Sequence, residues 1–583
     1  MRLCTPSDPL SAKLFIGLFI SVFVSTESGA QTPSGARKYI PPMDIPMQLS
    51  GNFMEPRTDH FHSGLDIRTE GREGIPVKAV ADGWIARIKI SPWGYGKAVY
   101  IEHADGHTSV YGHLQQLKGP AAEACLNAQY ERKDFSIDLY PTKGELPVKQ
   151  GDVIGLSGNT GGSGGPHLHF ELRRPGDQHA VDPEALGYDI PDRTPPELLG
   201  IRLHPLTDSS LVAPYPANAK GYATQGGAGK YALKPGLAPI AYGTVGLSLH
   251  VIDRYDNSGA KFGVRKIELF VDSVLTFSTL LDHVDFDVNR YCNAHMDYEV
   301  YKGQKLEYHR CYKQPNNKLR IYGKEPAQGR IALVPGRDHR IKLVATDANG
   351  NRSELRFNLR GASVEEARTW TVKPLEGSLF RYDTENILQE EGVRLTLPPN
   401  ALYDDTYVRY ARRPAPAKAL VPVHVLHHPL TPIQSNSALR IDLPELPAEK
   451  RNKALIVRLD DSGKVSAVGG TVGDGAVTAN IRAFGAYTLM LDTVPPVISN
   501  VDLRADMKGR NSFTIKVSDD LSGVGSWRGT LDGKWILLEY EPKNKTLTHT
   551  FDKHSKGTGK RTFVLEVTDD RGNTARYEMA FTH

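Results

Sequence analysis

His62-Ser63-Gly64-Leu65-Asp66 sets an imidazole and a carboxylate four residues apart, and His167-Leu168-His169 sets two imidazoles two apart. Side chains alternate along extended chain, so each pair projects to one face and the two pairs are able to converge on one ion. Imidazole nitrogen with carboxylate oxygen suits zinc, and three protein ligands with an open fourth position define a catalytic rather than a structural site. A fourth histidine, His113, stands in Tyr111-Gly112-His113-Leu114 at the end of an expected strand. The approach to His167 runs from Ser157 to Pro166 and is rich in glycine, which permits close backbone approach to an extended ligand. Taken singly, neither H-x-x-x-D nor H-x-H stands far above chance in a chain with 20 histidines.

The elements around these residues are expected to be β. From Gly51 to about Gly187, short apolar alternations such as Ala98-Val99-Tyr100-Ile101 and Val148 to Leu156 are separated by glycine turns. Residues Lys118 to Pro147 break this rhythm, contain Cys125 and a short helix over Ala121 to Tyr130, and read as an insertion or lid over a β scaffold. An internal repeat follows. Arg193-Thr194-Pro195-Pro196 and Asp492-Thr493-Val494-Pro495-Pro496 each open a unit and lead into an alternating strand, Leu199 to Leu203 or Ile498 to Leu503. Each unit closes with a strand, Arg340 to Ala345 or Phe563 to Val567, running into Thr-Asp-x-x-Gly-Asn at Thr346 to Asn351 or Thr568 to Asn573. Asp, Gly and Asn supply a tight turn there, so immunoglobulin-like β-sandwiches are expected. Turn chemistry accounts for these aspartates without calling on calcium. Between the two units, Val393 to Pro399 and Ala438 to Leu443 alternate in the same way and mark a third β-rich unit of unclear type.

At 583 residues the chain exceeds what one hydrophobic core organises, so several domains are expected. A net charge of +4 over this length lacks the concentrated basic field that phosphate backbones require, which argues against nucleic acid as a partner. Arg2 and Lys13, the apolar run Leu14 to Val24, and Ser28-Gly29-Ala30 have the order of a secretory signal peptide cleaved after Ala30. The run is too short for a stable membrane span, which needs about 20 helical residues. Cys4 precedes the run, where lipid attachment at a cleaved signal would not place it. In the exported compartment Cys292 and Cys311 either close a disulfide loop or remain two free buried thiols, and Cys125 has no evident partner.

His62-x-x-x-Asp66, Trp93-Gly94-Tyr95-Gly96 with Val99 to His103, Tyr111-Gly112-His113-Leu114, Val148 to Gly155 and Gly165-Pro166-His167-Leu168-His169-Phe170-Glu171 follow one another in order. This set closely resembles the lysostaphin-type, LytM-like zinc endopeptidases over residues of about 50 to 185. The resemblance implies that His62, Asp66 and His169 hold Zn2+ and that His113 and His167 are the catalytic pair. One of that pair would orient or deprotonate a water, and the other would bind the oxyanion or leaving amine, with the division left open. Glu171 shares the face of His167 and His169, either orienting a ligand from behind or standing as an ordinary exposed glutamate; His60 and His103 read as packing or surface residues.

The expected architecture is mainly β, a LytM-like antiparallel catalytic domain followed by several β-sandwich domains. Its division is a signal peptide (1–30), a peptidase domain (31–191, insertion 118–147), an immunoglobulin-like sandwich (192–361), a β-rich unit (362–491) and a second sandwich (492–583). The expected function is an exported, periplasmic or envelope-associated zinc endopeptidase acting on peptidoglycan peptides, with a cell-envelope protein as a further partner of the sandwiches. Two alternatives stand beside it: a catalytically silent LytM-like scaffold that regulates a cell-wall amidase, and an adhesin-like sandwich array with an accessory peptidase.

Overall fold

The computed structural model describes residues 39–583 apart from 189, 214–218, 257 and 371–374. The expected signal peptide and Cys4 lie outside the described residues. Among the described residues no helix is long and apolar enough to cross a membrane.

The architecture is mainly β, with an antiparallel domain at the front and sandwiches behind it. The front sheet runs in the order Leu49–Gly51, Leu65–Arg68, His167–Arg173, Thr108–Gly112, Lys97–His103, Gly83–Ile90, Ile137–Leu139, every neighbour antiparallel. Its two central strands, Thr108–Gly112 and Lys97–His103, are buried over almost their whole length, which explains their near-continuous apolar text. Leu65, Ile67, Val99, Ile101, Tyr111, Leu168 and Phe170 form the heart of one core. A small second sheet, Pro76–Lys78, Val153–Leu156 and Gln116–Leu117, completes the domain.

The expected helix in the insertion is present as Gly119–Arg132. Alanines and leucine favour it, Pro120 starts it, and Lys133 ends it in the left-handed conformation with its N–H bonded to Gln129 O. The insertion does not cover the cleft. Ile137–Leu139 hydrogen-bonds the free edge of Gly83–Ile90, and Ala121 and Cys125 enter the core, because an open strand edge and apolar side chains are both better satisfied there. From there Tyr130 donates to Asp552 and stacks on His554 at 3.9 Å, tying the insertion to the last sandwich.

Behind this domain, residues 197–361 build a twelve-stranded sheet system with its own core of Leu198, Ile201, Leu247, Leu269, Leu343 and Leu355 among others. Residues 386–491 form two five-stranded sheets, and 497–582 two four-stranded sheets, each pair enclosing a separate core. The two repeat turns are bonded alike: Asn351 Nδ2 donates to Asp192 O and Asn573 Nδ2 to Asp492 O. The opening strands differ. Glu197–Pro205 is long, whereas Val497–Asn500 stops early because the Asn500 side chain bonds the backbone of Leu503 in both directions. Cys125, Cys292 and Cys311 are free and buried, so of the two alternatives for Cys292 and Cys311 the free thiols are found.

Candidate metal centre and its cleft

Strand register assembles the centre. His169 lies opposite Asp66 on one neighbouring strand and opposite Gly112 on the other, one residue before His113. His167, His169 and Glu171 share a face as period two requires. His62 arrives differently from the expected strand alternation. It precedes Leu65–Arg68 across a bend at Gly64, where a Cβ would stand 2.3 Å from Phe170 O, so only glycine lets the backbone pass.

His62 Nε2, Asp66 Oδ1 and His169 Nδ1 are buried and 3.0 Å from one another. Ligand atoms around a tetrahedral zinc stand about 3.3 Å apart, so the triangle is of the right size for such an ion. The far atom of each group is already held. His62 Nδ1 donates to Asn52 O at 2.8 Å, His169 Nε2 donates to Glu171 Oε1 at 2.9 Å, and Arg57 donates to Asp66 Oδ2 at 2.7 Å. Three lone pairs are thereby aimed at one point, a donor set that a cation satisfies. Burial opposes charge on His169, but hydrogen bonds to Asp66 and Glu171 raise its pKa to about 9. Burial also works against the Asp66 carboxylate, yet His62, His167 and His169 keep it well below the usual range.

His113 and His167 face one another beside this triangle, ring centroids 4.8 Å apart. Each donates Nδ1–H to a backbone carbonyl at 2.8 Å, His113 to Thr160 and His167 to Gly165, leaving Nε2 for the cleft that both line. His167 Nε2 stands 3.4 Å from Asp66 Oδ1. His113 has a φ of 58°, a left-handed conformation costing a non-glycine residue about 1–3 kcal/mol, which the surrounding hydrogen bonds hold in place. Burial, with His169 and His167 beside it, pushes its pKa down to about 3.

Glu171 is fully buried, which removes the exposed-glutamate alternative. Besides His169 it accepts from Ser63 Oγ at 2.5 Å, from Tyr95 OH, and from Arg173 at 2.7 and 2.8 Å. Tyr95 also stacks on His169, centroids 4.9 Å apart and planes 23° apart. Strand parity alone pointed to Glu171; nothing local marks Arg57 or Asn52. His103 is buried and bonded to Asp82 O and Ser109 Oγ, and His60 is exposed and paired with Asp59.

The centre lines an open cleft of about 980 Å³. A second hollow of about 640 Å³ shares Arg57, Asp66, Gly164 and His167 with it, so the groove continues past the triangle. The cleft is not walled by the first domain alone. Phe286, Asn289 and Arg290 reach it from the following unit and Arg482 from the third. Asn289 brackets the backbone of Phe61, next to His62, donating to its carbonyl and accepting from its N–H. The glycine-rich loop behaves only partly as expected. Gly158 and Gly161 are small because the loop packs on Gln115 and on the Gly94–Gly96 turn, while Gly164 and Gly165 have open space before them.

The His–Asp–His triangle, anchored at every far atom and flanked by two further imidazoles on an antiparallel sheet, is a set of groups able to hold a metal ion. Residues 60–123 and 139–183 match the profile of Peptidase family M23, interrupted within the insertion, and this region is a lysostaphin-type, LytM-like domain. The chain is 34% identical over 137 residues to the DD-carboxypeptidase/endopeptidase Mpg of Neisseria meningitidis, a match covering 24% of this chain and 25% of that protein. It is 36% identical over 114 residues to the murein hydrolase activator EnvC of Escherichia coli, covering 19% and 20% respectively. The chain thus spans about a quarter or less of these curated relatives. Against the solved catalytic domain of lysostaphin from Staphylococcus simulans the identity is 28%, covering 24% of this chain and 87% of that one, with a TM-score of 0.17. Residues 377–492 match the profile of a Zu5-like domain.

Proposed function

We propose that this protein is an exported zinc endopeptidase that hydrolyses peptide bonds of bacterial peptidoglycan. The observation that carries the proposal is the triangle of His62, Asp66 and His169, whose ligand atoms converge on one point while each far atom is anchored. Zinc bound there supplies a Lewis acid that polarises water and the scissile carbonyl. His113 and His167, their Nδ1 protons committed to Thr160 and Gly165, present Nε2 atoms that divide two tasks: taking the proton from the attacking water, and hydrogen-bonding the oxyanion and leaving amine. The groove running past the triangle on both sides suits an internal bond of an extended peptide. Endopeptidase activity in the Mpg relative and the murein link in EnvC's name support the substrate class.

In this reading the chain divides into a signal peptide (1–30), the peptidase domain (31–191), a sandwich (192–361), a Zu5-like unit (362–491) and a closing sandwich (492–583), the last three holding the enzyme on the envelope or on a partner there. The likeness to an activator favours the scaffold alternative, whereas the complete set of five imidazole and carboxylate positions favours hydrolysis. Digestion of purified peptidoglycan by the mature protein and by His113→Ala, with fragments identified by mass and zinc measured in both, tests this. We expect zinc in both proteins and turnover reduced by about 10²–10⁴ in the variant. A wild-type protein that binds zinc yet releases no fragments points to the scaffold.

A further inference from the structure

The turn chemistry of the repeat does not account for all of its aspartates. In the first repeat Asp192, Asp253 and Asp347 place one carboxylate oxygen each within 4.8 Å of one another, and they are only 7%, 1% and 1% exposed. Some of their oxygens do serve turns: Asp192 Oδ1 accepts from Thr194 N, and Asp347 accepts from Asn351 N and Nδ2. Asp192 Oδ2 and Asp253 Oδ1, however, are buried without a hydrogen-bond partner. Among the described residues no lysine, arginine or histidine forms an ion pair with any of the three; the nearby Arg254 and Arg352 pair with Glu197 and Glu268 instead. Burial and mutual repulsion push the Asp192 carboxyl up to about 6 and that of Asp253 up to about 8.

We propose that Asp192, Asp253 and Asp347 form a calcium site that fastens the segment following the peptidase domain to the sandwich behind it. All its donors are carboxylate oxygens, without nitrogen or sulfur, and they come from loops and a strand end rather than a rigid cage; hard, irregular oxygen shells of this kind suit Ca2+. The neighbouring bonds show what the ion would hold. Asn349 Nδ2 donates to Ile190 O and Asn351 Nδ2 to Asp192 O, while Asp256 accepts from Arg193 N and Thr194 Oγ1. Asp253 exchanges two backbone hydrogen bonds with Phe262, and the next residue, Gly263, is bonded both ways to Asn52, whose carbonyl anchors His62. The second repeat gathers Asp492, Asp519 and Asp520 in a more open cluster: Asp492 accepts with both oxygens from the backbone N–H groups of Val494 and Ser522, Asp520 is exposed, and a single oxygen, Asp519 Oδ1, is buried without a partner.

The test uses the full mature chain, loaded with zinc and stripped of other cations, titrated with Ca2+ alone. Bound calcium per chain is counted after equilibrium dialysis for the wild type and for Asp253→Asn, which keeps the shape and removes the charge. The expected result is one fewer calcium per chain in the variant at about 1 mM Ca2+, where modules outside the cell operate. Equal uptake by both proteins, or none by the wild type, overturns the proposal. Should the variant fail to fold, thermal unfolding of the wild type decides: a midpoint raised by about 1 mM Ca2+ and returned by EGTA supports the site, and a midpoint indifferent to both rejects it.

Discussion

Glu171→Gln separates a glutamate that merely fills the core from one that prepares His169. Oε1 of Glu171 accepts from His169, Ser63 and Tyr95, and Oε2 from two atoms of Arg173. An amide turns one of these acceptors into a donor. Pointed at Oε1's place, its NH2 meets three donors, so it turns towards Arg173 and leaves that guanidinium, only 13% exposed, without its charge partner. His169 then donates to a neutral oxygen. A hydrogen bond to a charged group contributes about 1.5–3 kcal/mol and a neutral one about 0.5–1.5, so the imidazole loses roughly 1–1.5 kcal/mol of orientation, close to tenfold in metal affinity. Substitutions of groups behind metal ligands commonly cost about 10–100-fold, which brackets this figure. Breaking the buried pair with Arg173 destabilises the domain as well, by about 3 kcal/mol at this partial exposure. Chelator competition on zinc-loaded protein, with circular dichroism to verify the fold, measures the first effect. Zinc affinity within a factor of about two of wild type in a folded variant would falsify the orienting role.

Two further outcomes follow from buried titratable groups. Burial raises the Glu307 carboxyl from 4.5 to about 7 against the pull of Lys261 and Arg57, so the folded chain keeps a proton that the unfolded chain releases. Stability from this group is therefore complete below about pH 4.5 and lost as pH rises through about 7, on the order of 3 kcal/mol at most. The urea midpoint of Glu307→Gln should fall less than that of wild type between about pH 5 and about pH 7.5, and parallel losses would count against it. Burial likewise pushes the thiols of Cys125 and Cys311 up to about 12 and raises that of Cys292. Iodoacetamide at about pH 8 should leave all three unmodified in the native chain and label all three after unfolding; rapid native labelling of any one shows that its surroundings open.

Much of the centre could be read before any coordinates. His167, His169 and Glu171 keep their common face because alternation is local geometry, and the two Thr-Asp-x-x-Gly-Asn turns are bonded alike because Asp and Asn close such turns with their own side chains. Arg57 and Asn52 carried no such signal: each acts from a loop on a partner chosen by packing, not by spacing. The segment read as an insertion or a lid lies along a strand edge, a placement the sequence does not show because an unpaired edge is visible only once the sheet order is known. Phe286, Asn289, Arg290 and Arg482 stand more than a hundred residues beyond the motif that they wall in, and no local pattern announces that.

Residue types and their alternation by themselves determined a β protein with repeated sandwiches and a set of imidazoles and carboxylates fit for a metal. Tertiary structure alone decided that these groups meet. His169 sits beside Asp66 and Gly112 only in one antiparallel register, and a slip of one residue would turn its side chain to the opposite face. Register is fixed by burial of Leu65, Ile67, Leu168 and Phe170 in a common core, a condition satisfied by the whole sheet and by no single segment.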